Sequence, residues 1–185
     1  MIYLKWLALA LLDWLLLVTV PVAAILVSAF TREQPYNMRP YTWGGLWGTY
    51  DNPPQGDEGF VAKRAWFPGV TTGFKGYLNR VNWMIRNPLY GFAKKSSLEY
   101  SEEYDLEVTG KDGISDKDGI PGWYFVKVFH GKELVGFEFY GVFPYTKSLD
   151  VRIRLGWKVL TSKFKSQGFA PLVNTFNPVD GYNNG

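Results

Sequence analysis

The sequence contains no cysteine and a single histidine. The first absence removes structural disulfides, thiol nucleophiles and cysteine-based zinc or iron–sulfur sites in one step. It leaves the compartment open, because a cysteine-free chain suits reducing and oxidising surroundings alike. The lone His130 argues against a Ser–His–Asp triad and against a His-rich metal site. It stands beside Gly131-Lys132-Glu133, ahead of a hairpin-like connection, where an exposed polar role is expected. Charge of one sign is scarce as well. The formal net charge is +3, and the basic residues lie scattered instead of forming the stripe that marks a nucleic-acid binder. Arg152 and Arg154 alternate on one predicted strand, with Lys158, Lys163 and Lys165 behind them, and read as a solvated face and a polar tail. No nucleic-acid partner is expected.

Phosphate loops are missing too. Gly44-Gly45-Leu46-Trp47-Gly48 follows no apolar strand and lacks a trailing Lys-Ser or Lys-Thr. No cofactor, metal ligand or catalytic residue is assigned on this reading. What the chain has in quantity is apolar surface. Of its 185 residues 46% are hydrophobic and 18% aromatic, enough for a packed core and too many for global disorder.

The apolar residues are concentrated first of all between Trp6 and Phe30, a run of about 25 residues, longer as one helix than the ~30 Å hydrocarbon core requires. Its Leu, Ile, Val and Phe side chains favour insertion by ~4–9 kcal/mol, against at most about 3 kcal/mol from Asp13. The expectation is a membrane-spanning helix over residues 1–31, with the lipid bilayer as partner and a membrane location. A cleaved signal peptide, with Val27-Ser28-Ala29 as small-residue site, and a buried core helix are the competing readings. Asp13 is the one ionisable residue inside the run. It is a candidate functional group if central and a hydrated bystander if near the interface. Lys5 on one side and Arg32 and Arg39 on the other leave orientation undecided.

Residues 32–72 form an aromatic, Gly/Pro-rich connector, since Pro35, Pro40, Pro53 and Pro54 exclude helix interiors. Trp43 and Trp47 in it suit either a membrane interface or burial. Residues 73–165 read as an α+β domain. Tyr77, Leu78, Val81, Met84 and Ile85 recur at helical spacing, with Lys75, Arg80, Asn82 and Arg86 opposite and Pro88 ending the helix. From Glu103 the period becomes two, giving Tyr104–Val108, Trp123–His130, Leu134–Tyr140 and Leu149–Leu160 as strands. The fold class expected is therefore α+β: a transmembrane helix, one amphipathic helix and an antiparallel meander of about four strands. Residues 166–185, rich in Asn, Gly and Pro, read as an irregular tail.

Four patterns invite chemistry, each with a plainer reading beside it. In the loop Asp112–Gly119, setting Gly119 at the sixth position of a calcium loop leaves Ile114 and Phe125 where oxygen ligands are required; tight Asp-Gly turns explain it better. Asp57-Glu58 with Asp51 nearby resembles a glycosidase pair only in composition, because nothing separates an acid from a base. Trp66, Trp83, Trp123 and Trp157 suit an aromatic core better than a stacking platform. Asp51, Asn52, Asp57, Arg86, Asn87 and Pro88 are read as a structural node, with Arg86 bridging to a connector carboxylate.

Three strings carry a family likeness: Trp47-Gly48-Thr49-Tyr50-Asp51-Asn52-Pro53-Pro54-Gln55-Gly56-Asp57, Trp83-Met84-Ile85-Arg86-Asn87-Pro88 and Arg154-Leu155-Gly156-Trp157-Lys158. Together they resemble a family of small uncharacterised proteins of tailed bacteriophages, over residues 43–160. The resemblance implies a phage gene product in a bacterial host, and it supplies no catalytic residues; other phage or host envelope proteins are a further partner class to be weighed beside the bilayer. The leading expectation is a non-enzymatic membrane-anchored protein that acts by binding, at the host inner membrane or in the virion. A virion component with its apolar helix buried between subunits is the first alternative. An envelope-directed hydrolase using Asp51, Asp57 or Glu58 is the second.

Overall fold

The structure, a computed structural model, describes residues 1–34, 37–40, 45–49, 54, 58–111, 113–115, 120–146 and 149–180. At 32–34, 37–40, 58–59, 63, 162–163 and 177–180 it describes the backbone alone. Among the described residues are helices α1 (Ile2–Leu17), α2 (Val20–Ala29), α3 (Glu58–Lys63), α4 (Gly73–Arg86), α5 (Tyr90–Lys95) and α6 (Ser162–Gln167). The strands are β1 (Thr31–Gln34), β2 (Asn37–Pro40), β3 (Leu98–Glu99), β4 (Tyr104–Gly110), β5 (Gly122–His130), β6 (Glu133–Thr146), β7 (Leu149–Trp157), β8 (Phe169–Ala170) and β9 (Leu172–Asp180). The chain divides into two compact units: Met1–Ala10 with Ser96–Gly185, and Leu11–Lys95.

The apolar run is not one helix, which overturns the expected transmembrane helix. α1 and α2 are separate segments bent by 70° at their junction, and among the described residues no single helix is long and apolar enough to cross a membrane. The cause is local. Pro21 lacks an N–H and fits only a first helical turn, so α2 must start afresh there. The Thr19 hydroxyl and amide both donate to the Leu16 carbonyl, at 2.6 and 2.9 Å, closing the end of α1. At ~1.5 Å per residue α1 is about 24 Å long and α2 about 15 Å, each short of the ~30 Å hydrocarbon core.

In the unit Leu11–Lys95, α2 packs on α4. Ala23, Ala24 and Val27 form a core with Phe60, Val81, Trp83 and Met84. Phe60 meets Trp83 edge-on at 4.9 Å, and the Trp83 indole N–H donates to the Thr49 hydroxyl at 3.1 Å. The helix read from periodicity is there as α4, but it is rotated about its axis. Trp83 is buried, whereas Ile85 is 46% exposed. The rotation follows from Asn79, which is fully buried. Its amide donates to the carbonyls of Phe67 and Val70 and accepts from the Phe67 amide. Asn82 likewise donates to the Arg64 carbonyl. These polar side chains staple residues 64–70 to the helix and claim part of the surface that apolar spacing alone assigns to solvent.

In the other unit the order β4-β5-β6-β7-β9 makes a five-stranded antiparallel sheet, and β3 pairs with β8 in a separate two-stranded one. The fifth strand corrects the expected count of four. β9 lies in the Asn- and Pro-containing stretch after Ser166, and it pairs with β7 from Leu149↔Asp180 to Trp157↔Leu172. As an edge strand it tolerates Pro178, which has no ladder donor to offer. On one face of the sheet Phe137 receives Tyr3 at 4.8 Å and Trp6 at 5.6 Å. The Trp6 indole donates to the Val173 carbonyl and Asn174 to the Ala10 carbonyl. The oily run thus begins, at Trp6, with a residue that packs on the sheet, and Ala10 is the last residue of the run in this unit.

Gly156 shows how tightly β7 is pressed on β6. Its φ is +100°, and a Cβ there would lie 2.1 Å from the Phe137 carbonyl oxygen. Gly131, in the β5–β6 turn with φ +58°, has open space around it. Gly156→Ala should therefore cost about 2–4 kcal/mol in urea unfolding, from backbone strain and overlap together. Gly131→Ala should cost about 1 kcal/mol, the strain alone. Equal losses would show that the β6–β7 approach is not the constraint.

Candidate interaction surface

α2 has one face of small residues and one of large ones, and they have opposite fates. Ala23, Ala24, Val27 and Ser28 are buried, because only small side chains let two helix backbones approach closely. The Ser28 hydroxyl sits 3.1 Å from the Met84 sulfur, and Arg80 donates to the Ser28 carbonyl. On the other side Val22, Ile25, Leu26 and Phe30 are 62%, 53%, 55% and 55% exposed. The second half of α1 and the turn after it, in the same unit, add Leu11, Leu12, Trp14, Leu15, Leu17 and Val18, all exposed, Val18 reaching 78%. Large aliphatic chains scattered singly need no explanation, but a run of this density on adjoining helices is a candidate interaction surface. Asp13 interrupts it as a half-buried residue with an interaction of its own.

A second constellation lies in the five-stranded sheet. The Glu138 carboxylate has no exposed surface. One oxygen accepts from Arg154 Nε at 2.7 Å and from the Tyr124 hydroxyl at 3.1 Å; the other accepts from the Leu160 amide at 2.8 Å. The guanidinium also lies 4.5 Å from the Tyr140 ring centre. Burial first, then the charge of Glu138, pushes the Tyr124 phenol well above its ordinary pKa. Burial disfavours the Arg154 charge, but Glu138 and then Tyr124 outweigh it and hold that group above its ordinary value. Every acceptor of Glu138 is engaged within the fold, so the cluster ties β5, β6 and β7 to the segment after Trp157. Arg154 corrects the solvated-face reading: its side chain is 17% exposed. The signal in the sequence is Glu138 itself, an acid between Phe137 and Phe139 in the middle of a largely apolar strand.

The residues singled out from sequence fall as follows. Asp51, Asn52 and Asp57 lie outside the described residues, so the Arg86 bridge to a connector carboxylate has no geometry here. Arg86 is exposed on the last turn of α4, and Pro88 is exposed after it. Asn87 closes that helix, its amide nitrogen and side chain both donating to the Trp83 carbonyl. His130 pairs with Glu103 at 2.7 Å on the surface. Asp112 and residues 116–119 of the loop compared with a calcium site are outside the described residues; Ser115 and Ile120 close its base as an antiparallel bridge. Trp83 and Trp157 are buried, the latter donating to the Ser96 carbonyl, while Trp66 and Trp123 are exposed. Trp83, Asn87, Gly156 and Trp157, residues of the recognised strings, therefore serve packing and helix termination.

These features define an α+β protein with an exposed apolar helical face. The chain belongs to a family of unknown function, DUF7338, which it matches over residues 1–184. No curated protein and no solved structure matches it.

Removing one partner of the buried pair strands the other without water. Glu138→Ala should cost about 3–5 kcal/mol of unfolding free energy, and Glu138→Met with Arg154→Met should return most of it. A double variant no more stable than the single one would show that the ion pair is not the source. The raised Tyr124 pKa also sets a pH dependence. The folded phenol holds its proton more tightly than the unfolded one, so its contribution is complete below the unfolded value near ~10 and falls as pH rises beyond it. Tyr124→Phe should flatten the alkaline loss of stability in urea titrations; an unchanged slope refutes the assignment.

Proposed function

We propose that this is a phage-encoded, non-enzymatic binding protein that rests on the bacterial membrane through the exposed face of Leu11–Phe30. The observation that carries the reading is the sided burial of α2: small residues on the protein, large aliphatic ones outward. In an amphipathic helix at a bilayer surface the polar side faces water. Here the folded body takes the place of that polar side, and the outward side chains enter the headgroup–acyl boundary. Fully burying a large aliphatic side chain is worth about 1.5–3 kcal/mol. With 42–78% of each still open, about 1 kcal/mol apiece remains available. Trp14 and Phe30 add aromatic rings of the kind that favour the interface. The phage origin rests on the three strings around Trp47–Asp57, Trp83–Pro88 and Arg154–Lys158. In this reading the helices lie in one leaflet and do not span.

Vesicle flotation of the full chain tests it. The protein should float with phospholipid vesicles, and Val18→Asp and Leu26→Asp should each lower partitioning about tenfold or more. Their circular dichroism and melting should be unchanged, since both sites are exposed. A chain that stays in the aqueous fraction with vesicles in excess sinks the proposal. A stable oligomer broken by the same substitutions would favour a virion subunit contact instead.

A further inference from the structure

The rim of this apolar face carries cations, and we infer that the bilayer it recognises is anionic, an inference that rests on the membrane reading above. The Tyr77 hydroxyl donates to the Ile25 carbonyl at 3.1 Å, which fixes α4 beside the outward edge of α2. Phe74 stacks on Tyr77 with ring centres 6.0 Å apart and is 73% exposed. The exposed surface of α2 thus continues onto α4 through two aromatic rings. Lys75 follows Phe74 directly, exposed, with its ammonium 5.4 Å from the Phe67 ring centre. One turn beyond Tyr77, Arg80 donates from Nε to the Ser28 carbonyl and from Nη1 to the Thr71 carbonyl. Its guanidinium is therefore held at the carboxyl end of α2, where a helix favours positive charge.

The balance of charge agrees with this placement. Across Leu11–Lys95 basic residues outnumber acidic ones, whereas the reverse holds in the other unit. Among the described side chains of Leu11–Lys95, Asp13 is the one acid, and it is half-buried with an interaction of its own. A protein partner would match this rim with acidic side chains at fixed positions. A phosphate-rich headgroup layer matches it in any register, and it also accepts an apolar face spread over the second half of α1, α2 and the Phe74–Tyr77 edge of α4. Long basic side chains suit this border, because their stems cover apolar surface while their heads stay among headgroups. Each cation within reach of an anionic surface strengthens binding about fivefold at physiological ionic strength.

Two vesicle compositions separate the headgroup inference from the membrane reading. Vesicles of phosphatidylcholine alone are compared with vesicles containing about one part in three phosphatidylglycerol. The full chain should bind the anionic vesicles about ten- to thirtyfold more tightly. Added salt should erase that difference without abolishing binding to phosphatidylcholine. Lys75→Glu should weaken binding to anionic vesicles about tenfold and leave binding to neutral ones unchanged. Phe74→Ser should weaken both. Equal binding to the two compositions, with no effect of Lys75→Glu, overturns the headgroup inference and leaves the membrane reading standing. Binding to neither overturns both.

Discussion

The contact on which the unit Leu11–Lys95 depends is that between the small-residue face of α2 and the broad side chains of α4. Ala23, Ala24, Val27 and Ser28 offer a shallow surface, and Trp83, Met84 and Val81 fill it. Hydrogen bonds at its border, from Tyr77 to Ile25 and from Arg80 to Ser28, set the rotation of one helix against the other. Once that rotation is fixed, the fate of each remaining α2 side chain follows from a 100° step. Val22, Ile25 and Leu26 have nowhere to go but out.

How much of this can be read from the residues alone differs between the elements. Strands β4 to β7 are legible, because alternation of period two survives whatever the sheet packs on. β9 is not, since Asn174, Asn177 and Pro178 make a strand look like a tail; only pairing to β7 overrides the local preference. α4 is legible in extent and not in orientation. Its buried polar group, Asn79, is recognisable only when the carbonyls it serves are in view. The oily run is the hardest case. Insertion energies sum composition and ignore order, so they register Ala23, Ala24 and Ser28 as mild and Pro21 as a blemish. Order is what decides, because one proline at the start of α2 and small residues at spacing three and four turn a membrane span into a core helix.

Of the candidate site, the strings that suggested a family proved to hold positions of packing. Gly156 is required by a carbonyl, Trp157 by burial against Phe137 and by a carbonyl, Asn87 by the end of α4. The Glu138–Arg154–Tyr124 cluster belongs to the same class. A buried ion pair of this kind adds less to stability than its geometry suggests, because desolvation consumes much of the attraction. Its three fixed hydrogen bonds do hold the strands in one register, where a purely aromatic face would tolerate slippage.

The indole of Trp6 bonds to the carbonyl of Val173, a separation of 167 residues. On the ribosome the opening helix therefore emerges long before the strand that receives it has been made. Until residue 173 has been made its leucines must wait in contact with something else, whether chaperone, bilayer or solvent. A nascent chain built in this way meets whatever binds apolar helices before it meets the strand around Val173.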